Sequence, residues 1–325
     1  MLVGLGTLDR IDRLEQEPSD DLEVARRLRD LRHQAVSELP AAGPPSAIGE
    51  PPSRLDCGLP SLRTDELSAA AVKAAIIRSG SVLVRGLLNP TQVERLKSAT
   101  DRAIAGRDAR SPGKPVGNGK NGWFEPFQPD PPYAAMVAEE WNRLTKGGGT
   151  LWAVDSPRGL SELLAVLDEV GLRRLAADYL GGRPVLSMKK CNLRRTAPQA
   201  TADWHQDGAF LGGKLGALNV WAALTRCGVD APGMDLVARR LEEVVETGTE
   251  GARFDWTVGH PLVERVATPE GIVRPEFEPG DVLLFDELCL HRTAANPAMT
   301  NHRHAVEVWM FRADDYPQGQ VPLVF

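Results

Sequence analysis

Four cysteines in 325 residues, at Cys57, Cys191, Cys227 and Cys289, are too few and too scattered for a disulfide-stapled scaffold. No Cys-x-x-Cys pair occurs, so thiolate zinc and iron–sulfur sites find no support. No apolar run approaches the roughly 20 residues needed to span a bilayer. Positive charge is not in excess: the formal net charge is −6 and the pI about 5.6. Tracking a phosphate backbone needs clustered cations, so nucleic acid is not an expected partner, and neither is a membrane. The opening Met1-Leu2-Val3-Gly4-Leu5-Gly6 is too short for a signal-peptide core. Reduced thiols and a cytoplasmic location are the expectation. Internal repeats are absent as well.

What is present is ordinary for a soluble fold, with 42% hydrophobic and 25% charged residues. The length allows one large domain or two, and no oligomeric state can be read from it. Residues 7–38 carry Leu8, Ile11, Leu14, Leu22, Val24, Leu28 and Leu31 at helical spacing. Residues 40–60 are rich in Pro and Gly. Residues 1–60 therefore read as an N-terminal extension, and 61–325 as the main domain. A helix is expected from Thr64 to about Arg78, a strand over Ser81–Arg85, and a helix after the Asn89-Pro90 cap. Another is expected from Leu160 to Leu180, and a helical insertion over Arg239–Thr247. The Gly-, Pro- and Asn-rich loop 107–132 embeds Trp123, Phe124 and Phe127, which favours a lid over simple packing. From Val185 onward short strands dominate, the pattern of an all-β core.

The most informative residues are His205-Gln206-Asp207 and, 86 positions later, His291. Two imidazoles and one carboxylate occupy one face of an octahedron and leave three positions free, as in non-haem Fe(II) oxygenases. On a strand, His205 and Asp207 would share a face while Gln206 points away. A His-x-Asp triplet by itself is also compatible with a hydrogen-bonded surface turn. Bulky neighbours in Trp204-His205-Gln206-Asp207-Gly208-Ala209-Phe210 argue for a buried pocket, and His291 closes a segment, Asp281 to Leu290, that reads as strand, turn and new strand.

Leu186 to Arg312 resembles the phytanoyl-CoA dioxygenase family of Fe(II)/2-oxoglutarate oxygenases. The resemblance rests on Trp204-His205-Gln206-Asp207-Gly208, Asn219-Val220-Trp221-Ala222-Ala223-Leu224, Glu278-Pro279-Gly280-Asp281-Val282-Leu283-Leu284-Phe285, and His291-Arg292-Thr293 followed by Arg303. Weaker similarity reaches back to about Asp65. The resemblance implies that His205, Asp207 and His291 hold iron and that Arg303, twelve positions after His291, grips the far carboxylate of 2-oxoglutarate. It also implies help from the Thr293 hydroxyl and from Asn192, thirteen positions before His205. The Gly-Ser-His element of relatives is missing from Cys227–Arg240, so no particular substrate is implied. The expected fold is mainly β with flanking helices: a double-stranded β-helix (jelly roll, cupin-like) of about eight strands, with the metal inside one open end.

The expected cofactors are Fe(II), 2-oxoglutarate and O2, and the expected reaction is hydroxylation of an unactivated C–H in a small molecule. A carboxylate at Asp207, where a halogenase would need space for halide, favours that outcome. Desaturation, epimerisation, epoxidation and ring formation share these ligands and remain open. So, more remotely, does a cupin-like metal enzyme or binding protein that needs no 2-oxoglutarate and no Arg303. Arg303 lies in an apolar strand, where a buried guanidinium needs an anionic partner. Arg292 and Lys190 are its rivals. Trp221 either packs the core or lines the co-substrate pocket. His33 and the pair Arg194 and Arg195 are expected on solvated faces, His260 in a turn, and His302 and His304 opposite Arg303.

Overall fold

A computed structural model describes residues 6–16, 21–110, 121–137, 149–213 and 216–325. Its centre is an antiparallel core of strands β5 (Val185–Thr196), β6 (Leu218–Ala223), β9 (Val282–Phe285) and β11 (Arg303–Phe311). Alternation along these strands feeds two apolar layers. Val306, Val308 and Met310 of β11 face one side, with Val220, Ala222, Val282 and Leu284. Ala305, Trp309 and Phe311 face the other, with Trp221, Leu283 and Phe285.

The first side is covered by helices α3 (Ala69–Ser79), α4 (Pro90–Asp108), α5 (Pro157–Glu169) and α6 (Leu172–Leu180). The second meets a small sheet of β7 (Gly233–Val237), β8 (Ile272–Val273) and β10 (His291–Ala294), in order β10-β7-β8. Among the described residues the main sheet has nine strands, in the order β1 (Leu55–Asp56), β2 (Leu59–Leu62), β3 (Ser81–Val84), β9, β6, β11, β5, β12 (Pro322–Val324), with β4 (Thr150–Trp152) also on β5. The expected jelly-roll character is present as two facing sheets, but the larger one stays open and the whole is not a closed barrel. Gly280 makes the turn into β9 at φ 98°; a Cβ there would sit 2.3 Å from the Leu88 carbonyl.

Helices α1 (Thr7–Gln16) and α2 (Leu22–Gln34) bury Ile11, Leu14, Leu28 and Leu31 against Val324. The division at 60/61 falls within β2. His33 is not on a solvated face. It is buried because α2 runs beneath β12: its ring nitrogen Nδ1 lies 3.0 Å from the Pro322 carbonyl, and Phe127 and Tyr133 meet it edge-on.

Three expected helices change. Thr64–Glu66 is a single 3-10 turn whose Glu66 carboxylate accepts the Arg63 N–H, and α3 begins only after Ser68, whose hydroxyl caps Ala71. The expected Leu160–Leu180 helix breaks at Gly171, where φ of 76° ends regular α geometry. Residues 239–247 form no helix; the helix of this region is α7 (His260–Ala267). Residues 111–120 of the expected lid lie outside the described residues. Its Phe124 and Phe127 are buried in the helix-side core, which is the packing alternative for that part of the loop. Among the described residues, no helix is long and apolar enough to cross a membrane.

Candidate metal centre and co-substrate cleft

His205 and His291 are brought together by the backbone. His205 N–H donates to the His291 carbonyl and His291 N–H to that of His205, both at 3.0 Å. This isolated bridge extends the small sheet by one pair. The ring centroids end up 4.4 Å apart. Each Nδ1 faces a backbone carbonyl, Asp203 O at 2.8 Å and Cys289 O at 3.0 Å. A carbonyl only accepts, so Nδ1 carries the proton and Nε2 keeps its lone pair for a metal. Burial first, and His291 second, push the His205 pKa down to about 4, so this imidazole is neutral at physiological pH.

Asp207 reaches the pair differently from the expected strand alternation. Its backbone is helical, with φ −63° and ψ −25°, and it leads a one-turn helix, Gly208–Leu211. Strand geometry stops after the His205 bridge because the Asp207 carbonyl accepts from Phe210 and Leu211 while Gly208 N–H donates to Glu287 O. The carboxylate still converges, with Oδ2 3.9 Å from His291 Nε2. One ligand atom from each of the three residues lies within 4.8 Å of the others. Lys190 Nζ holds Oδ1 at 2.7 Å. Burial pushes the Asp207 pKa upward, but Lys190 and then the two imidazoles outweigh it and hold the group ionised, at about 2. Gln206 points away, as expected. Its amide donates to Glu243 O and Leu288 O and accepts from Val245 N–H, pinning the 241–258 segment.

The three residues line a cleft of about 550 Å³ between the sheets, together with Asn192, Trp221, Thr293 and Arg303. All seven residues singled out in the sequence therefore meet in one place. Arg303 donates to Gly233 O at 3.0 Å and to the hydroxyls of Thr196 and Thr293 at 3.3 Å. Its Nε has no partner, and among the described residues no carboxylate pairs with it. Burial lowers its pKa to about 10. Trp221 answers both of its alternatives: it packs against Phe277 at 4.8 Å and lies under the Arg303 guanidinium at 5.6 Å. Asn192 is buried with an unpartnered Oδ1.

The rivals are occupied elsewhere. Arg292 pairs with Asp235 at 2.8 Å and stacks over Trp204; Lys190 is held by Asp207. His304 turns to Asp101 at 3.0 Å on the opposite face, while His302 and His260 are exposed. Arg194 corrects an expectation. It lines the cleft in an ion pair with the buried Glu307, and Trp309 Nε1 donates to that carboxylate at 3.2 Å. A signal existed, since Glu307 shares the cleft face with Arg303 at even spacing along β11. Asn219, with its own unpartnered buried Oδ1, was also missed.

These residues fit a divalent metal with a dicarboxylate. The donor set is two imidazoles and one carboxylate, and among the described residues no carboxylate pairs with the buried guanidinium beside it. A family model described as phytanoyl-CoA dioxygenase matches residues 77–305. The fold is similar to that of EctD from S. alaskensis, crystallised with 2-oxoglutarate and 5-hydroxyectoine. That match has TM-score 0.55 and 16% identity, over 86% of this chain and 88% of that one. It is also similar to the epimerase SnoN, crystallised with Fe3+, alpha-ketoglutarate and nogalamycin RO. That match has TM-score 0.50 and 15% identity, over 75% of this chain and 83% of the other. None of the curated protein sequences matches this chain.

Proposed function

The chain belongs to the phytanoyl-CoA dioxygenase family, and from that premise we propose that it is an Fe(II)- and 2-oxoglutarate-dependent dioxygenase acting on a small molecule. His205, Asp207 and His291 hold the iron, and Arg303 with Thr293 holds the distal carboxylate of 2-oxoglutarate. The observation that carries this reading is the pairing, in one cleft, of a three-residue donor set with a buried cation that has no carboxylate partner among the described residues.

With dioxygen, iron and 2-oxoglutarate supply an oxidant strong enough for an unactivated C–H bond, with release of succinate and CO2. The protein's part is positioning. The Nδ1–H bonds to Asp203 and Cys289 fix both imidazoles with Nε2 inward. Lys190 engages Asp207 Oδ1, which leaves Oδ2 as the donor on the inner side. Asn192 lines the cleft, and only its side-chain amide N–H could donate to the co-substrate, since the unpartnered Oδ1 accepts. Trp221, Met234 and Phe285 give the cleft apolar lining.

Hydroxylation is the outcome favoured. The Asp207 carboxylate fills the place a halide would need, and EctD was crystallised with a hydroxylated compound. Epimerisation is the second reading, supported by SnoN. The unpaired, scattered cysteines suit a cytoplasmic enzyme. Incubation with Fe(II), ascorbate and 2-oxoglutarate is expected to release succinate, stimulated by the right substrate. Protein that binds Fe(II) but neither binds nor consumes 2-oxoglutarate would refute the reading. Mass analysis of the product separates hydroxylation, a gain of one oxygen, from epimerisation, with no mass change.

A further inference from the structure

The mouth of the cleft is aromatic and its walls are cationic, and the site described so far uses only part of each. Phe210 and Trp256 line the opening yet stay 37% and 41% exposed. They meet edge-to-face at 5.8 Å, and Trp256 also stands edge-on to His205 at 5.7 Å. Phe254, 44% exposed, stacks parallel to Trp256 at 5.7 Å. Large apolar side chains held at the surface around a cleft mark a place where a ligand covers them. The segment carrying Phe254 and Trp256 is tied down at both ends, through the Gln206 amide and through Val258 N–H to Trp204 O.

Four cations, Lys189, Lys190, Arg194 and Arg303, line the cleft against two carboxylates, Asp207 and Glu307. A divalent metal and a dianionic co-substrate cancel, so the loaded cleft keeps its positive surplus. Lys190 is matched by Asp207 and Arg194 by Glu307, while in the reading above Arg303 holds the co-substrate, whose net charge the metal already balances. Lys189 is left over. Its ammonium donates to the Gly319 carbonyl at 2.9 Å, and among the described residues no carboxylate pairs with it.

We propose that the substrate is an organic anion built on a ring. Its ring packs against Phe210 and Trp256 next to His205, and its acidic group pairs with Lys189. The proposal rests on the dioxygenase reading and adds the substrate class to it. A ring on Trp256 contributes about three- to tenfold in affinity, and one charge-assisted hydrogen bond about tenfold or more.

The test is calorimetric and needs no turnover. Protein loaded with Zn(II) in place of Fe(II), at saturating 2-oxoglutarate, is titrated with 2-naphthoate, 2-naphthylmethanol and 2-naphthylmethylammonium. The anion is expected to bind about tenfold tighter than the alcohol, with the ammonium weakest. Lys189→Gln should bring the anion down to the level of the alcohol. Trp256→Ala should weaken both equally, and Trp256→Phe should restore most of the loss. If the alcohol or the ammonium matches the anion, or no naphthalene probe binds while 2-oxoglutarate does, the substrate class is wrong and the dioxygenase reading stands. If 2-oxoglutarate itself fails to bind the Zn(II)-loaded protein, the dioxygenase reading falls and the substrate class with it.

Discussion

The two ends of the cleft are built on opposite electrostatic terms. At the His205 end the donor set is held in place: Asp207 is paired with Lys190, and both imidazoles are oriented by carbonyls. At the Arg303 end a guanidinium is fully buried among hydroxyls, a carbonyl and the Trp221 ring, with no carboxylate paired to it among the described residues. The first end is complete as folded. The second is finished only when an anion arrives, because an uncompensated buried charge is costly. In the proposed reading, a preorganised donor set therefore coexists with a pocket that an anion completes.

The largest expected effect comes from removing a donor at the complete end. His205→Ala and His291→Ala should each abolish turnover and saturable Fe(II) binding, measured by anaerobic calorimetry, because two remaining ligands do not make a facial site. Full activity in both variants would overturn the assignment. The partner of Asp207 comes next. Lys190→Met leaves a buried carboxylate without its cation and should cost metal-free protein about 2–3 kcal/mol, less than for a fully buried pair because Lys190 is partly exposed. The sign follows from Asp207, held at about 2 against roughly 3.9 when unfolded. Its contribution is present above the unfolded value and lost as pH falls through about 2. Without Lys190 that loss should begin at higher pH. Thermal melts from pH 2 to 6 test this, and Zn(II) should raise the melting temperature of the variant more than that of the parent.

The same contrast separates what was legible in the sequence from what was not. His205, Asp207 and His291 stand out because few residue types bind metals, and Arg303 because a guanidinium in an apolar strand needs a reason. Strand alternation around 303–311 was readable as a period of two. The route by which Asp207 reaches the metal was not, since only the non-local bond from Gly208 to Glu287 shows that the chain turns helical there. The Arg194–Glu307 pair joins residues on two strands, so neither shows its partner locally. The Gly171 break hid inside a helix-like apolar spacing, because an isolated glycine within a helical pattern can be tolerated. His33 looked solvated because its burial comes from β12, almost three hundred residues away.

Breaking the incomplete end should leave the complete one intact. Arg303→Ala is expected to weaken 2-oxoglutarate binding about ten- to hundredfold, the worth of a charged hydrogen-bonded contact of roughly 1.5–3 kcal/mol, with Fe(II) affinity nearly unchanged. Anaerobic titration of each ligand separates the two. Arg303→Met sharpens the point. An apolar side chain of similar length removes a buried charge that lacks a counter-ion, so the ligand-free variant should melt above the parent while losing the stabilisation that 2-oxoglutarate confers. A variant that melts lower in both conditions would mean that the bonds to Gly233, Thr196 and Thr293 already satisfy the guanidinium.

Thr293→Ala probes the same end with the smallest expected effect. The Thr293 hydroxyl accepts from Arg303 at 3.3 Å and lines the cleft, so it can both orient the guanidinium and donate to a carboxylate. One neutral hydrogen bond contributes about 0.5–1.5 kcal/mol, a two- to tenfold loss of 2-oxoglutarate affinity. The loss should be smaller still in an Arg303→Ala background, because the hydroxyl acts in part through the residue it steadies. A double-mutant cycle measures this coupling. Strict additivity would place Thr293 on the co-substrate alone. An effect on Fe(II) affinity would instead implicate His291, two residues earlier on β10, and the two ends of the cleft would then be mechanically linked through that strand.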